Sequence, residues 1–123
     1  MKKILIVEDD QSIQMFYQRI LNMFGFEIAG IASDGDEAVL MFKLFKDKPE
    51  IILMDHRMPK KNGIEASKEI LQIDHNVKII FFSADDSIKE EAFSIGIYDF
   101  ELKPFSIESM IAKIKLAFNS SNN

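Results

Sequence analysis

The chain of 123 residues contains no cysteine, which excludes a disulfide framework and any thiolate chemistry. It also lacks an excess of basic residues, because 15 Lys and Arg face 20 Asp and Glu and leave a net charge of −5. Nucleic-acid binding needs clustered cations, so this charge argues against a nucleic-acid-binding surface. No apolar run approaches the roughly 18 residues of a membrane span. The apolar stretch that follows the basic start is too short for a signal peptide, so we expect a cytoplasmic location and no membrane segment.

Strand-like and helix-like patterns alternate along the chain. With 47% hydrophobic and 28% charged residues, the composition is that of an ordinary globular protein, and the length fits one domain. We predict a domain over residues 1–118 and a polar tail over residues 119–123. The predicted strands are Lys3–Val7, Phe26–Ile31, Glu50–Met54, Val77–Phe82 and Ile97–Leu102.

Five helical patterns lie between and after these strands. Two pairs of residues have the spacing of a capping box at a helix start, Asp34 with Glu37 and Ser87 with Glu90. The first helical pattern is the clearest, because its apolar residues recur on one face at 3.6-residue spacing: Ile13, Phe16, Tyr17, Ile20, Leu21 and Phe24.

Regular alternation of strands and helices predicts an α/β fold with a parallel sheet covered on both faces. The first, third and fourth strands are nearly continuous apolar runs, as expected of strands buried on both faces. The second and fifth lean towards alternation, which is typical of edge strands. With right-handed crossovers, this pattern favours the doubly wound, flavodoxin-like strand order 2-1-3-4-5, flanked by five helices.

In such a sheet, functional residues gather beyond the carboxyl ends of the strands. Polar residues follow four of the five predicted strands directly. These segments are Glu8-Asp9-Asp10, Asp55, Ser83-Ala84-Asp85 and Lys103-Pro104. We therefore expect several carboxylates, a hydroxyl and a lysine at one end of the sheet.

Carboxylates crowded in a small cleft repel one another, and a hard divalent cation relieves the repulsion. Mg²⁺ prefers oxygen ligands, whereas zinc fits poorly because cysteine is absent and the two histidines are far apart in sequence. Beside Mg²⁺ and a lysine, an aspartate can act as a nucleophile towards phosphorus. We expect Asp55 to hold the phosphoryl group, while Mg²⁺, Lys103 and the Ser83 hydroxyl stabilise its equatorial oxygens.

Five segments of the sequence resemble those of a known family. They are ILIVEDD at the first strand, DGDEAV at the second helix, IILMDHRMPKKNGI around the acceptor, IIFFSA at the fourth strand and YDFELKPF at the fifth. Their order and spacing resemble those of the receiver domain of two-component response regulators, of the chemotaxis-regulator type, over about residues 2–118.

The resemblance implies roles for the site residues. Asp55 matches the aspartate that is phosphorylated. Glu8 and Asp9 match the acidic pair that binds Mg²⁺, with Asp9 as a direct ligand and Glu8 acting through water. Asp55 and the backbone carbonyl of Arg57 match the remaining protein ligands of the metal.

The resemblance also implies a switch. Lys103 matches the lysine that contacts the phosphoryl group, and its bond to Pro104 matches one that is usually cis. Ser83 matches the hydroxyl residue that moves towards the phosphoryl group. Phe100 matches the aromatic position that then rotates inward, changing the surface of the fourth helix, fifth strand and fifth helix.

Three further residues are expected to border the site, namely Arg57, Ala84 and Asp85. An Arg57–Asp85 pair of opposite charge would partly cover the phosphoryl group and hinder attacking water. The small side chain of Ala84 would keep the approach to the site open.

The implied function is that of a signalling phosphoacceptor, which catalyses only its own phosphorylation and autodephosphorylation. A sensor histidine kinase, a phosphotransfer protein or a small phosphodonor would supply the phosphoryl group. The sequence does not identify the downstream effector, and it leaves open both homodimerisation and whether the chain stands alone or belongs to a longer protein.

Four alternative functions fit the sequence less well. A haloacid-dehalogenase-like phosphatase needs a second aspartate two residues after the first, where this chain has Arg57. A flavodoxin-like FMN protein needs a phosphate-binding first loop, which three acidic residues would oppose. A dinucleotide-binding fold needs a G-x-G-x-x-G motif after the first strand, and none is present. A phosphorylation-independent receiver used only for interactions would usually lack the acidic pair, the acceptor or the lysine.

Overall fold

The three apolar runs form the middle of the sheet, as predicted. In the computed structural model, which describes residues 2–120, they are β1 (Lys3–Val7), β3 (Ile51–Met54) and β4 (Lys78–Ser83). The edge strands are β2 (Glu27–Ala32) and β5 (Asp99–Leu102). All neighbouring strands are parallel, and their order is β2-β1-β3-β4-β5. The predicted fold class and strand order are therefore confirmed.

Five helices cover the two faces of the sheet: α1 (Gln11–Met23), α2 (Gly35–Leu44), α3 (Gly63–Ile73), α4 (Lys89–Ser94) and α5 (Ile107–Asn119). Helices α1 and α5 bury one core against the sheet, and α2, α3 and α4 bury the other. Because β1, β3 and β4 contribute side chains to both cores, they are apolar at almost every position.

Helix starts are fixed by side-chain caps. The Asp10 carboxylate accepts hydrogen bonds from the first turn of α1. The predicted box at α2 is confirmed, since the Glu37 N–H donates to Asp34 at 2.8 Å while the Glu37 carboxylate accepts from the preceding loop. The box predicted at Ser87 is wrong. Asp85 caps a 3₁₀ turn there instead, and the short α4 begins at Lys89, one residue later than a Ser87 cap would place it, without a side-chain cap.

Two residues of the predicted core face of α1 lie at its margin. Phe16 and Phe24 are 42% and 44% exposed, whereas Tyr17 and Leu21 are buried. Phe16 lies at the edge of the buried stripe, and Phe24 follows the last helical turn. At the other end of the chain, Asn119 belongs to α5 rather than to the predicted tail, and residues 121–123 lie outside the described residues.

Within residues 2–120, no helix has the length and apolar character that a bilayer crossing requires.

Candidate functional site

Backbone hydrogen bonds of the sheet bring four strand ends to one edge. The N–H of Asp55 donates to the carbonyl of Val7 at 3.0 Å, so the residue after β3 lies beside the end of β1. The N–H of Lys103 donates to the carbonyl of Ser83 at 2.8 Å, which joins the ends of β5 and β4 in the same way. The predicted convergence of these residues follows directly from the parallel register.

Three carboxylates form the centre of the site. One oxygen from each of Glu8, Asp9 and Asp55 lies within 4.8 Å of the others. Their surroundings differ, because Glu8 is only 1% exposed, Asp55 is half-buried and Asp9 faces solvent. The N–H of Asp10 donates to Glu8 at 3.1 Å and helps to fix the buried carboxylate.

Lys103 supplies the positive charge beside these carboxylates. Its Nζ donates to Glu8 Oε1 at 3.2 Å and lies 3.7 Å from Asp55 Oδ1, so the amine bridges the two acids. The Lys103–Pro104 peptide bond is cis, as the resemblance implied. A lysine on a strand end ordinarily reaches into solvent, whereas this one is directed to the carboxylate cluster.

The electrostatics of the cluster favour uptake of a proton or a cation. Burial raises the pKa of Glu8 to about 7, and the nearby charge of Asp55 acts in the same direction. Burial also raises the pKa of Asp55, although the Lys103 amine opposes this shift. Two carboxyls with raised pKa values in one cleft indicate a site that is short of positive charge at neutral pH.

The predicted hydroxyl lies at the end of β4. Ser83 is buried, and its Oγ accepts a hydrogen bond from the N–H of Asp85 at 3.0 Å. Its own O–H remains available for donation to a group on Asp55. Next to it, Ala84 is exposed.

Arg57 and Asp85 form the ion pair expected at the rim of the site, with 3.5 Å between Arg57 Nη2 and Asp85 Oδ2. The Arg57 side chain is 81% exposed and the Asp85 side chain 17%, so solvent reaches the pair from the arginine side. Hydrogen bonds from Ser87 and the charge of Arg57 hold the pKa of Asp85 below its usual range.

Phe100 occupies an inward position under the β4 end. The ring is 5% exposed and stacks on Phe81, with 6.2 Å between ring centroids. The Lys89 amine lies 5.9 Å from the centre of the Phe100 ring, which connects the ring to α4. The resemblance implied that the Phe100 ring rotates inward from an exposed position. In this structure the ring is already buried.

Three residues near the site were not singled out from the sequence. The Gln14 side chain donates to the carbonyl of Glu8 at 2.5 Å and thus supports the acidic pair. The Tyr17 hydroxyl and His56 Nδ1 are buried without a hydrogen-bond partner in the described residues. Tyr17 reads as part of an apolar stripe, and His56 as a loop residue, so the sequence carried no signal for either position.

The donor atoms of the cluster fit a hard cation. Three carboxylates offer oxygen ligands only, which suits Mg²⁺ and not the nitrogen and sulfur preferences of zinc. Burial and, to a lesser extent, the charge of Asp55 raise the pKa of Glu8, and a bound cation would oppose both effects by stabilising the ionised carboxylate. The site is therefore consistent with a magnesium centre.

Comparisons with known proteins identify the family of this chain. The sequence model of the family described as "Response regulator receiver domain" matches residues 4–115. The chemotaxis protein CheY of Thermotoga maritima is 44% identical over 106 residues, which cover 85% of this chain and 87% of that protein. The transcriptional regulatory protein PdtaR of Mycobacterium tuberculosis is 39% identical over 118 residues, but this chain spans only 56% of its length.

A solved structure agrees in fold. It is the CheX–CheY complex with BeF₃ and Mg²⁺ from Borrelia burgdorferi, which aligns with a TM-score of 0.89 and 28% identity over 94% of this chain and 88% of that chain. The strand order, the convergent carboxylates and the family match all lead to one conclusion. The chain belongs to the response regulator receiver domain family and is a CheY-like phosphoacceptor domain of two-component signalling.

Proposed function

We propose that Asp55 is the residue that accepts the phosphoryl group. The observation that supports this most directly is the position of its carboxylate, half-buried between two other carboxylates and 3.7 Å from the Lys103 amine. Glu8 shares the lysine and the acidic neighbours, but its side chain is only 2% exposed, against 12% for Asp55, so Asp55 is the more accessible of the two carboxylates that contact Lys103. Burial restricts the approach of water to this carboxylate, while its oxygen remains accessible from the cleft.

Glu8, Asp9, Asp55 and the backbone carbonyl of Arg57 would hold Mg²⁺ in this proposal, Asp9 directly and Glu8 through water. When bound, the ion neutralises negative charge on the phosphoryl oxygens and on the carboxylates. Lys103 would then exchange its hydrogen bond to Glu8 for one to the phosphoryl group. Its present bridging position requires only a small movement for this exchange.

The transfer step is a displacement at phosphorus. An Asp55 oxygen donates an electron pair to phosphorus, and the bond from phosphorus to the donor nitrogen of a phosphohistidine breaks. The bonding electrons stay on the imidazole nitrogen, and an aspartyl phosphate forms. Lys103 and the Ser83 hydroxyl would stabilise the equatorial oxygens during this step and afterwards. Autodephosphorylation is the attack of water on the same phosphorus, with Asp55 as the leaving group.

Signalling follows if the phosphorylated site favours a different arrangement of its surroundings. Ser83 would turn its hydroxyl to the phosphoryl group, and the β4–α4 loop would follow through the Asp85 N–H bond to Ser83. Phe100 is buried beside Phe81 of β4, and its ring centre lies 5.9 Å from the Lys89 amine at the start of α4. We propose that these residues transmit the change to the surface of α4, β5 and α5.

We also propose two kinds of partner protein for this domain. A sensor histidine kinase or a phosphotransfer protein would supply the phosphoryl group in the cytoplasm, and an effector would bind the changed surface. The phosphorylation-independent alternative gains no support from the site, because the acidic pair, the acceptor and the lysine all lie together.

Intact-mass spectrometry after incubation with acetyl phosphate and Mg²⁺ tests the proposal. We expect the wild type to gain one phosphoryl group, and Asp55→Asn to gain none. Asp10→Asn is the matched control, because Asn can still cap α1 and Asp10 lies next to the acidic pair without belonging to the cluster. A wild type that gains no mass, or an Asp55→Asn variant that gains the full mass, would contradict the proposal.

A further inference from the structure

The loop between β3 and α3 contains an unusual backbone turn. Lys60 has a φ of 68°, and it is the one non-glycine residue with positive φ in the part of the chain that the structure describes. Lys60 is the middle residue of a three-residue turn, which closes because the N–H of Lys61 donates to the carbonyl of Pro59 at 2.8 Å. A side chain in this region of φ is strained, so the surrounding structure must hold the turn in place.

The first turn of α2 provides one of these supports. A Cβ atom added to Gly35 would lie 2.1 Å from the carbonyl oxygen of Lys61, so the two backbones are in direct contact. On either side of Gly35, an ion pair reaches the same loop. Asp34 lies 3.8 Å from the Lys60 amine, and Asp36 lies 3.3 Å from the Lys61 amine.

The first turn of α3 provides the second support. A Cβ atom on Gly63 would lie 2.3 Å from the carbonyl oxygen of Asp55, and the Gly63 N–H donates to the carbonyl of His56 at 2.9 Å. Lys61 also forms an ion pair with Glu69 on α3. The loop is therefore fixed from both sides, and Arg57 lies in the short segment between the supports.

We propose that Gly35 and its neighbours Asp34 and Asp36 are positioning residues for Mg²⁺ binding. The inference rests on the proposed function, in which the backbone carbonyl of Arg57 is a metal ligand. A carbonyl cannot be redirected by a side-chain rotamer, so its position depends on the backbone that carries it. The contact of Gly35 with Lys61 sets that backbone from outside the acidic cluster, as groups behind metal ligands commonly do.

A purely structural role for Gly35 predicts a different result from a positioning role. If Gly35 only allows close packing, its replacement lowers stability but leaves the Mg²⁺ affinity of the folded protein unchanged. If Gly35 positions the loop, the affinity falls even well below the unfolding temperature. The measurement is therefore the Mg²⁺ dissociation constant by calorimetric titration, with the free energy of unfolding measured in parallel.

Gly35→Ala is the test variant, and Gly25→Ala is the matched control. Gly25 has a φ of +81° and no atom within 4 Å of its added Cβ, so alanine there strains the backbone without pushing on any neighbour. We expect Gly35→Ala to raise the Mg²⁺ dissociation constant about tenfold, a typical cost of losing support behind a ligand. The Mg²⁺ concentration for half-maximal phosphorylation by acetyl phosphate should rise in parallel, with little change in the maximal rate. Gly25→Ala should stay within about twofold of wild type in both measurements.

Lys61→Gln keeps the inference testable if Gly35→Ala does not fold. Removing a positive charge near the carboxylates would tighten Mg²⁺ binding if only the electrostatic field mattered. Loss of the Lys61 ion pairs with Asp36 and Glu69 would instead weaken Mg²⁺ binding, because the loop would be held less firmly. This is the result we expect. Unchanged or tighter binding in Lys61→Gln, or an unchanged dissociation constant in Gly35→Ala, overturns the positioning role while the wild type still binds Mg²⁺. A wild type that neither binds Mg²⁺ nor gains a phosphoryl group overturns the proposed function and the inference with it.

Discussion

At the scale of single residues, Glu8 has the least ordinary environment in the site. It is a buried carboxylate whose charge is opposed by burial and by Asp55, and is supported by one lysine and one backbone N–H. A carboxyl whose pKa is higher in the folded than in the unfolded chain binds more protons when folded. Its contribution to stability is therefore greatest at low pH and is lost as the pH rises through the folded value.

This gives a prediction about pH and magnesium. In Mg²⁺-free buffer, the Glu8 contribution to stability should be fully present near its ordinary pKa of 4.5 and should be lost by about pH 7. Added Mg²⁺ should therefore raise the unfolding temperature more at pH 8 than at pH 5.5, by about 5 °C for each kcal/mol of added stability. Thermal unfolding at both pH values is the measurement, and Glu8→Gln is the control that should lose most of the pH dependence. An equal effect of Mg²⁺ at both pH values would contradict this account of Glu8.

A second prediction concerns the Arg57–Asp85 pair at the rim. Because the Arg57 side chain is exposed, the ion pair should add little to stability, but it can obstruct the path of water to a phosphoryl group on Asp55. We expect Arg57→Ala and Asp85→Ala each to accelerate loss of the phosphoryl group, by about twofold to tenfold, which corresponds to less than about 1.4 kcal/mol of barrier. The decay of phosphorylated protein after removal of acetyl phosphate measures the rate. Unchanged rates in both variants would show that the Arg57–Asp85 pair does not hinder the attack of water on the phosphoryl group.

At the scale of elements, α2 is fixed at both of its ends. Its start contacts the loop between β3 and α3 through Gly35, and its last carbonyls accept hydrogen bonds from the Lys48 amine. The distances from Lys48 Nζ are 2.7 Å to the carbonyl of Phe42 and 3.0 Å to that of Phe45. A cation at this end of a helix satisfies carbonyls that have no partner within the helix and also interacts with the helix dipole.

We therefore expect Lys48→Met to lower the free energy of unfolding by about 1–2 kcal/mol. The neighbouring Lys46→Met should change it by less than about 0.5 kcal/mol, because Lys46 is exposed. Chemical denaturation of the two variants gives both values. A similar loss in both would show that general charge, and not the capping of α2, is responsible.

The elements were largely predictable from the sequence because their patterns depend on local physics. Continuous apolar runs identified β1, β3 and β4 as central strands, and the spacing of Asp34 and Glu37 located the start of α2. The region before α4 was not predictable in this way. Ser87 has capping-box spacing, but its N–H and its hydroxyl both donate to the Asp85 carboxylate, and these hydrogen bonds form the turn that is observed.

At the scale of the whole molecule, the parallel sheet accounts for the site. Its register places Asp55 beside the end of β1 and Lys103 beside Ser83, so residues far apart in sequence become neighbours. This part of the site could be predicted, because strand ends in such folds meet at one edge. The contact between Gly35 and Lys61 could not, because it depends on how closely two helix starts approach the same loop. The inward position of Phe100 and the buried Tyr17 hydroxyl likewise depend on side-chain packing that no local pattern encodes.

Locating the phosphoryl group tests the central claim most directly. Borohydride reduces an aspartyl phosphate to homoserine, which peptide mass spectrometry can assign to one position in the chain. After treatment with acetyl phosphate and Mg²⁺, we predict homoserine at position 55 and at no other aspartate. Homoserine at Asp9, Asp10 or another position, with none at 55, would contradict the assignment of Asp55 as the phosphoacceptor.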